Sequence, residues 1–172
     1  MEKKNVVETF FSYLGKLHEG DESVVEKVVE LWDDEGVWEF LGAYPSEGKF
    51  KGKVALQVLF KNLAHSATMP VFLEKGKITN IESRKFEIRD MHVVGEMVVA
   101  NWDQVVTTKD GRGIAISGST KFHFKGDKIS KLDVIALPKS EAELRKLMPA
   151  LSMKELTITD IGRLALAAWA VV

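Results

Sequence analysis

The chain has no cysteine, which excludes a disulfide framework, a thiolate metal site and a thiol nucleophile. Neither sign of charge prevails. Against 24 Lys+Arg stand 25 Asp+Glu, a formal net charge of -1. With no run of like charges as long as about five residues, neither a nucleic acid nor an anionic membrane is an expected partner. Long apolar runs are missing too: the longest, 164–172, falls well short of the roughly 20 residues a helix needs to cross a bilayer. Met1-Glu2-Lys3-Lys4-Asn5 leads straight into an amphipathic pattern without the apolar core of a secretory signal, so a cytoplasmic protein is expected. No internal repeat or low-complexity segment divides the 172 residues, a length suited to one domain. No Gly-rich phosphate loop follows a strand, and there is no H-E-x-x-H, H-x-H or G-x-S-x-G. Metal, nucleotide and serine-nucleophile chemistry are therefore not expected, and no cofactor is called for.

What is present is a clear change of period along the chain. Val6, Val7, Phe10, Phe11, Leu14 and Leu17 recur at helical spacing and predict a first helix ending near Glu19-Gly20. Ser23 and Glu26 form a capping-box pattern ahead of Val24, Val25, Val28, Val29 and Trp32, a second short helix. Asp33-Asp34-Glu35-Gly36 interrupts it, and 37–41 then alternates as a strand, with Trp38 and Phe40 on one face and Val37, Glu39 and Leu41 on the other. After Pro45 and Gly48, a third helix follows from Val54, Leu56, Val58, Leu59, Phe60 and Leu63.

From Ile78 onward the pattern is strands, at 78–90, 97–108, 113–124 and 128–137, separated by Gly95, Asp110-Gly111 and Lys125-Gly126-Asp127. Such turns join antiparallel hairpins, because glycine accepts the positive φ that they require. Helices followed by a meander predict an α+β fold with the helices on one face of the sheet. Beyond Pro138, a capping-box pattern at Ser140 and Glu143 predicts a helix to about Met148. A break at Pro149 precedes a last, almost wholly apolar helix over 161–172, expected to be buried on the domain or on a partner.

This order of elements, with Tyr13-Leu14-Gly15-Lys16-Leu17-His18-Glu19-Gly20-Asp21, then Leu31-Trp32-Asp33-Asp34-Glu35-Gly36-Val37-Trp38-Glu39, and later Phe122-His123-Phe124-Lys125-Gly126-Asp127-Lys128-Ile129, resembles the nuclear transport factor 2-like superfamily. That group includes ketosteroid isomerases, SnoaL-like polyketide cyclases and limonene epoxide hydrolases. The resemblance covers 6–137. It implies a cone-shaped curved antiparallel sheet with three N-terminal helices on its concave face. The chain thus divides into a cone domain, 1–137, and a C-terminal helical extension, 138–172. A homodimer is also implied.

The same resemblance implies site residues. Glu39 falls where ketosteroid isomerases place a general base, and an apolar cavity would raise its pKa toward neutrality; the other reading is a strand carboxylate paired with a lysine. Tyr13 matches the helix-one tyrosine that donates to the substrate oxygen, or is a core aromatic. Thr120 stands where those isomerases carry a protonated Asp. Asn101 and Asp103 resemble the R-x-D pair of the epoxide hydrolases, with Asn in place of Arg and Val134 in place of the second Asp; they face either the cavity or the outer surface. Trp38, Trp102 and Phe122 are the expected apolar walls for a small hydrophobic molecule. His18 and His65 are read as helix-end or solvent residues, and His123 as facing away from Phe122 and Phe124. The implied activity is a cofactor-independent isomerase, cyclase or dehydratase working by proton transfer on a small hydrophobic carbonyl compound. The alternative is a non-catalytic ligand-binding or association module of the same fold.

Overall fold

A computed structural model describes residues 2–41, 48–66, 70–72 and 78–137. The expected helices at 140–148 and 161–172 lie outside these residues. Helix α1, Lys3–His18, buries Val6, Val7, Phe10, Phe11, Leu14 and Leu17, the stripe that the periodicity marks. The next turn is held differently from expectation. The Asp21 carboxylate, not a Ser23–Glu26 box, accepts the Ser23 N–H at 2.9 Å and caps a 3-10 turn, Glu22–Val24, that runs into α2, Val25–Glu30. A cap two residues earlier uses the same preference of Asp for helix starts.

Strand β1 spans Trp32–Leu41 and so includes the acidic segment read as a break. The segment is a bulge: the register with β7 shifts between Trp32 and Val37. A Cβ at Gly36 would stand 2.9 Å from both the Asp33 carbonyl oxygen and the Trp32 ring, so the kink needs glycine. Strand β2, Gly48–Lys51, pairs with β1 and leads into α3, Lys53–Ser66. Strands β3, Pro70–Phe72; β4, Ile78–Val94; β5, Met97–Thr108; β6, Gly113–Lys125; and β7, Lys128–Ala136, form the meander. The sheet order is β2-β1-β7-β6-β5-β4-β3. All neighbours are antiparallel except β1 and β7. The two short strands β2 and β3 are too brief for an alternation pattern to reveal.

One face of this sheet is dry. Burial alternates along β5 and β6, so Val98, Ala100, Trp102 and Val106 lie under the helices with Ile114, Ile116, Thr120 and Phe122. Phe10 of α1 is the aromatic centre, 5.3 Å from Phe122, 5.6 Å from Trp38 and 6.4 Å from Phe60 of α3. Each such fully buried side chain contributes about 1.5–3 kcal/mol relative to exposure. The fold is α+β, with three helices on the concave face of a curved sheet.

Candidate functional site

Polar side chains sort sharply between the two faces of the sheet. On the outer face, Lys131 Nζ of β7 lies 3.1 Å from Glu39 of β1 and 2.7 Å from Asp133, and the other Asp133 oxygen lies 3.2 Å from His123 Nε2. Hydrogen bonds to Asp133 first, and then to Glu39, hold the Lys131 ammonium above its ordinary pKa. Glu39 thus occupies the lysine-paired position that alternation with Trp38 and Phe40 allows. It does not share their face.

Asn101 and Asp103 are also outside. The Ser117 hydroxyl and the Arg89 guanidinium, at 3.2 Å, both hold the Asp103 carboxylate, and Asn101 Nδ2 donates to Asp90 at 2.7 Å. Their strand mates Ala100 and Trp102 are buried under the helices, and residues one apart in a strand face opposite ways. The three acid/base and orienting candidates read from the strands, Glu39, Asn101 and Asp103, therefore sit in outer-face networks.

The remaining candidates, Tyr13, Trp38, Trp102, Thr120 and Phe122, belong to the interior. Tyr13 is half-buried and packs against the core, while Trp38 and Phe122 are part of it. The Trp102 indole N–H donates to Thr120 Oγ1 at 2.9 Å, and its ring stacks on Phe86 at 5.4 Å. The ring lies where β6 has no side chain. A Cβ at Gly118 would come within 2.2 Å of the indole, so glycine makes room for it.

The interior also holds a pair that the sequence reading did not assign. Across β4 and β5, Arg84 pairs with Val106, Phe86 with Gln104 and Ile88 with Trp102, so Arg84 lies on the helix-facing side. Phe86 stacks on Phe11 of α1 at 5.1 Å. His18 lies seven residues after Phe11, close to the same stripe of the helix. His18 is half-buried, but its Nδ1 is sealed from solvent and has no hydrogen-bond partner among the described residues. Burial, and then the charge of Arg84, push the imidazole down to about 3. Loss of water lowers Arg84 to about 10, so it stays a cation at neutral pH. His18 is thus a neutral, sealed base beside a cation, not the solvated helix-end residue expected. The signal was present in Arg84-Lys85-Phe86-Glu87-Ile88, where alternation puts Arg84 with the two apolar residues.

Two further interior donors, Nε1 of Trp32 and Nε1 of Trp38, are sealed without a hydrogen-bond partner among the described residues. Buried polar groups are normally satisfied, and each exception asks for a water, a ligand or a cost of about 1–3 kcal/mol. Among the described residues, no group of three or more His, Asp and Glu side chains is arranged to hold a metal ion, and no helix is long and apolar enough to cross a membrane.

Three helices on the concave face of an unclosed antiparallel sheet define the nuclear transport factor 2-like class of folds. Residues 12–132 match the SnoaL-like domain, and the chain belongs to that family. No curated protein matches the chain. Solved structures of similar fold include a nuclear transport factor 2-like protein of unknown function from Burkholderia pseudomallei. It is 14% identical, with TM-score 0.63, over 87% of this chain and 99% of that one. A Bacillus subtilis protein named as an isomerase is 16% identical, with TM-score 0.60, over 88% of this chain and 98% of that one. An LEH-like epoxide hydrolase from Mycobacterium tuberculosis is 14% identical, with TM-score 0.58, over 85% and 92%. Likeness at such identities concerns the fold, which hosts many chemistries.

Proposed function

We propose that this SnoaL-like domain is a cofactor-independent isomerase, cyclase or dehydratase that moves a proton on a small hydrophobic carbonyl compound bound against the concave face. The observation that carries this reading is the sealed Nδ1 of His18, which has no hydrogen-bond partner among the described residues and lies within the electrostatic influence of Arg84. A neutral imidazole can accept a proton, and the negative charge that develops on the substrate beside it raises its basicity above the depressed resting value. The C–H bond next to the carbonyl breaks, its proton goes to a ring nitrogen of His18, and the electron pair moves onto the carbonyl oxygen. Arg84 offsets the charge of that oxygen, in a setting where a fixed cation acts far more strongly than in water. Returning the proton at another carbon completes an isomerisation; expulsion of a β-hydroxyl that takes up the His18 proton and leaves as water completes a dehydration. Tyr13 is the α1 hydroxyl donor of this scheme, and Trp38, Trp102 and Phe122 supply apolar wall, with Thr120 fixing the Trp102 ring. Glu39 and Asp103 enter it as outer-face ion-pair members rather than as bases.

A panel of small hydrophobic ketones and enones in heavy water tests this reading. Loss of the α C–H proton signal faster than in buffer is expected for at least one compound, and His18→Gln is expected to slow it by about 100-fold or more, the range of general-base contributions. Binding without exchange across the panel would favour the non-catalytic reading instead.

A further inference from the structure

We propose that His18, Arg84 and Gln104 form a carboxylate subsite at one end of the concave face, so that the ligand of this domain is a small apolar acid. This deepens the reading above and rests on its placing of the ligand on the concave face. Register puts Arg84 and Gln104 on one side of the sheet, diagonal to each other, with Arg84 opposite Val106 and Gln104 between Phe86 and Ile116. Helix α1 crosses β4 at this point, with Phe11 stacked on Phe86 at 5.1 Å, and His18 ends the same helix seven residues further on, within the electrostatic influence of Arg84.

The chemistry of the three groups is complementary to a carboxylate. A guanidinium has five N–H donors, so it can engage a planar two-oxygen anion bidentately and still keep another partner. Gln104 adds an amide N–H, and the imidazole of His18, kept neutral by burial and by Arg84, has one ring N–H to donate while its other nitrogen stays an acceptor. Around them the surface is apolar: Phe86 and Ile116 flank Gln104 across the strands, and Val106 faces Arg84. Among the described residues on the helix-facing side of β4, β5 and β6, Arg84 is the one cation. A single cation suits the single charge of a carboxylate better than a phosphate dianion. Beyond the head group, the partly buried residues on this side of β4 are Phe86, Ile88 and Met91, so the remainder of the ligand is expected to be hydrocarbon or aromatic.

The test is a matched series of phenylalkanoates and their primary amides, titrated calorimetrically into the wild-type chain and into Arg84→Met and Arg84→Lys, with folding checked by circular dichroism. The acid is expected to bind at least about 10-fold tighter than its amide, roughly 1.4 kcal/mol. That preference should vanish in Arg84→Met and survive in part in Arg84→Lys. Acid binding should also shift the ring resonances of His18. Equal binding of acid and amide, with His18 or Trp102 resonances moving in both titrations, overturns the carboxylate subsite and leaves the concave-face reading standing. Binding of neither compound in the wild type, together with no proton exchange on any ketone, overturns both. If Arg84→Met does not fold, the wild-type acid-to-amide ratio and Arg84→Lys decide.

Discussion

The Trp102 indole N–H meets the Thr120 hydroxyl at 2.9 Å across β5 and β6, and the ring that makes this bond occupies the space left by Gly118. Three residues on two strands thereby fix one wall of the concave face. Gly118→Ala places a methyl group inside the indole, and overpacking of this kind costs about 1–3 kcal/mol. A lower urea midpoint and a loss of near-ultraviolet tryptophan dichroism should report it. Thr120→Val keeps the shape but strands the buried indole N–H, with an expected cost of about 1–3 kcal/mol in the same measurement.

The outer-face network should behave quite differently. Glu39 and Lys131 are partly exposed, and Lys131 keeps Asp133 when Glu39 is removed. Exposed and half-exposed pairs contribute about 1 kcal/mol or less, so Glu39→Gln should shift the urea midpoint only slightly. Asp133 is 7% exposed and is shared by Lys131 and His123. Asp133→Ala should therefore cost clearly more than Glu39→Gln, and a double-mutant cycle with Lys131→Met should show coupling at Asp133.

Stability should also depend on pH through His18. Its folded pKa is about 3 against an ordinary 6.5, so between those values the unfolded chain binds a proton that the folded chain does not. Stability is then full above pH 6.5 and is lost as pH falls toward 3, by at most about 1.4 kcal/mol per pH unit from this one group. The carboxyls of Asp21, Asp33, Glu96 and Asp110, all lowered by hydrogen bonds or ion pairs, act the same way but only below their ordinary 3.8 to 4.5. Urea midpoints between about pH 5 and 7 lie above the carboxyl range, and the part of the slope that His18→Gln removes there is the contribution of this histidine.

Much of this architecture is legible in the sequence. The α1 stripe, the strands of the meander and the glycine turns are local patterns, and β5 begins and ends at the residues that alternation marks. Which way β5 faces was not local. Val99, Ala100 and Trp102 put apolar residues on both of its sides, so only pairing with β4 and β6 shows that Trp102 lies inside and Asp103 outside. Glu39 was drawn inward by a resemblance, although its alternation with Trp38 already set it on the other face. Arg84 and His18 went unassigned for another reason: a charged strand residue and a helix-terminal histidine are usually solvated, and their environment comes from α1 packing across β4, a contact between segments about 70 residues apart.

Proton exchange measured side by side in His18→Gln and Glu39→Gln bears most directly on where the chemistry resides. With a ketone that exchanges in the wild-type chain, followed by proton NMR in heavy water, Glu39→Gln should retain the wild-type rate within about two-fold, while His18→Gln should lose about 100-fold or more. The reverse result, loss in Glu39→Gln with His18→Gln unaffected, would contradict the interior site and return the base to β1.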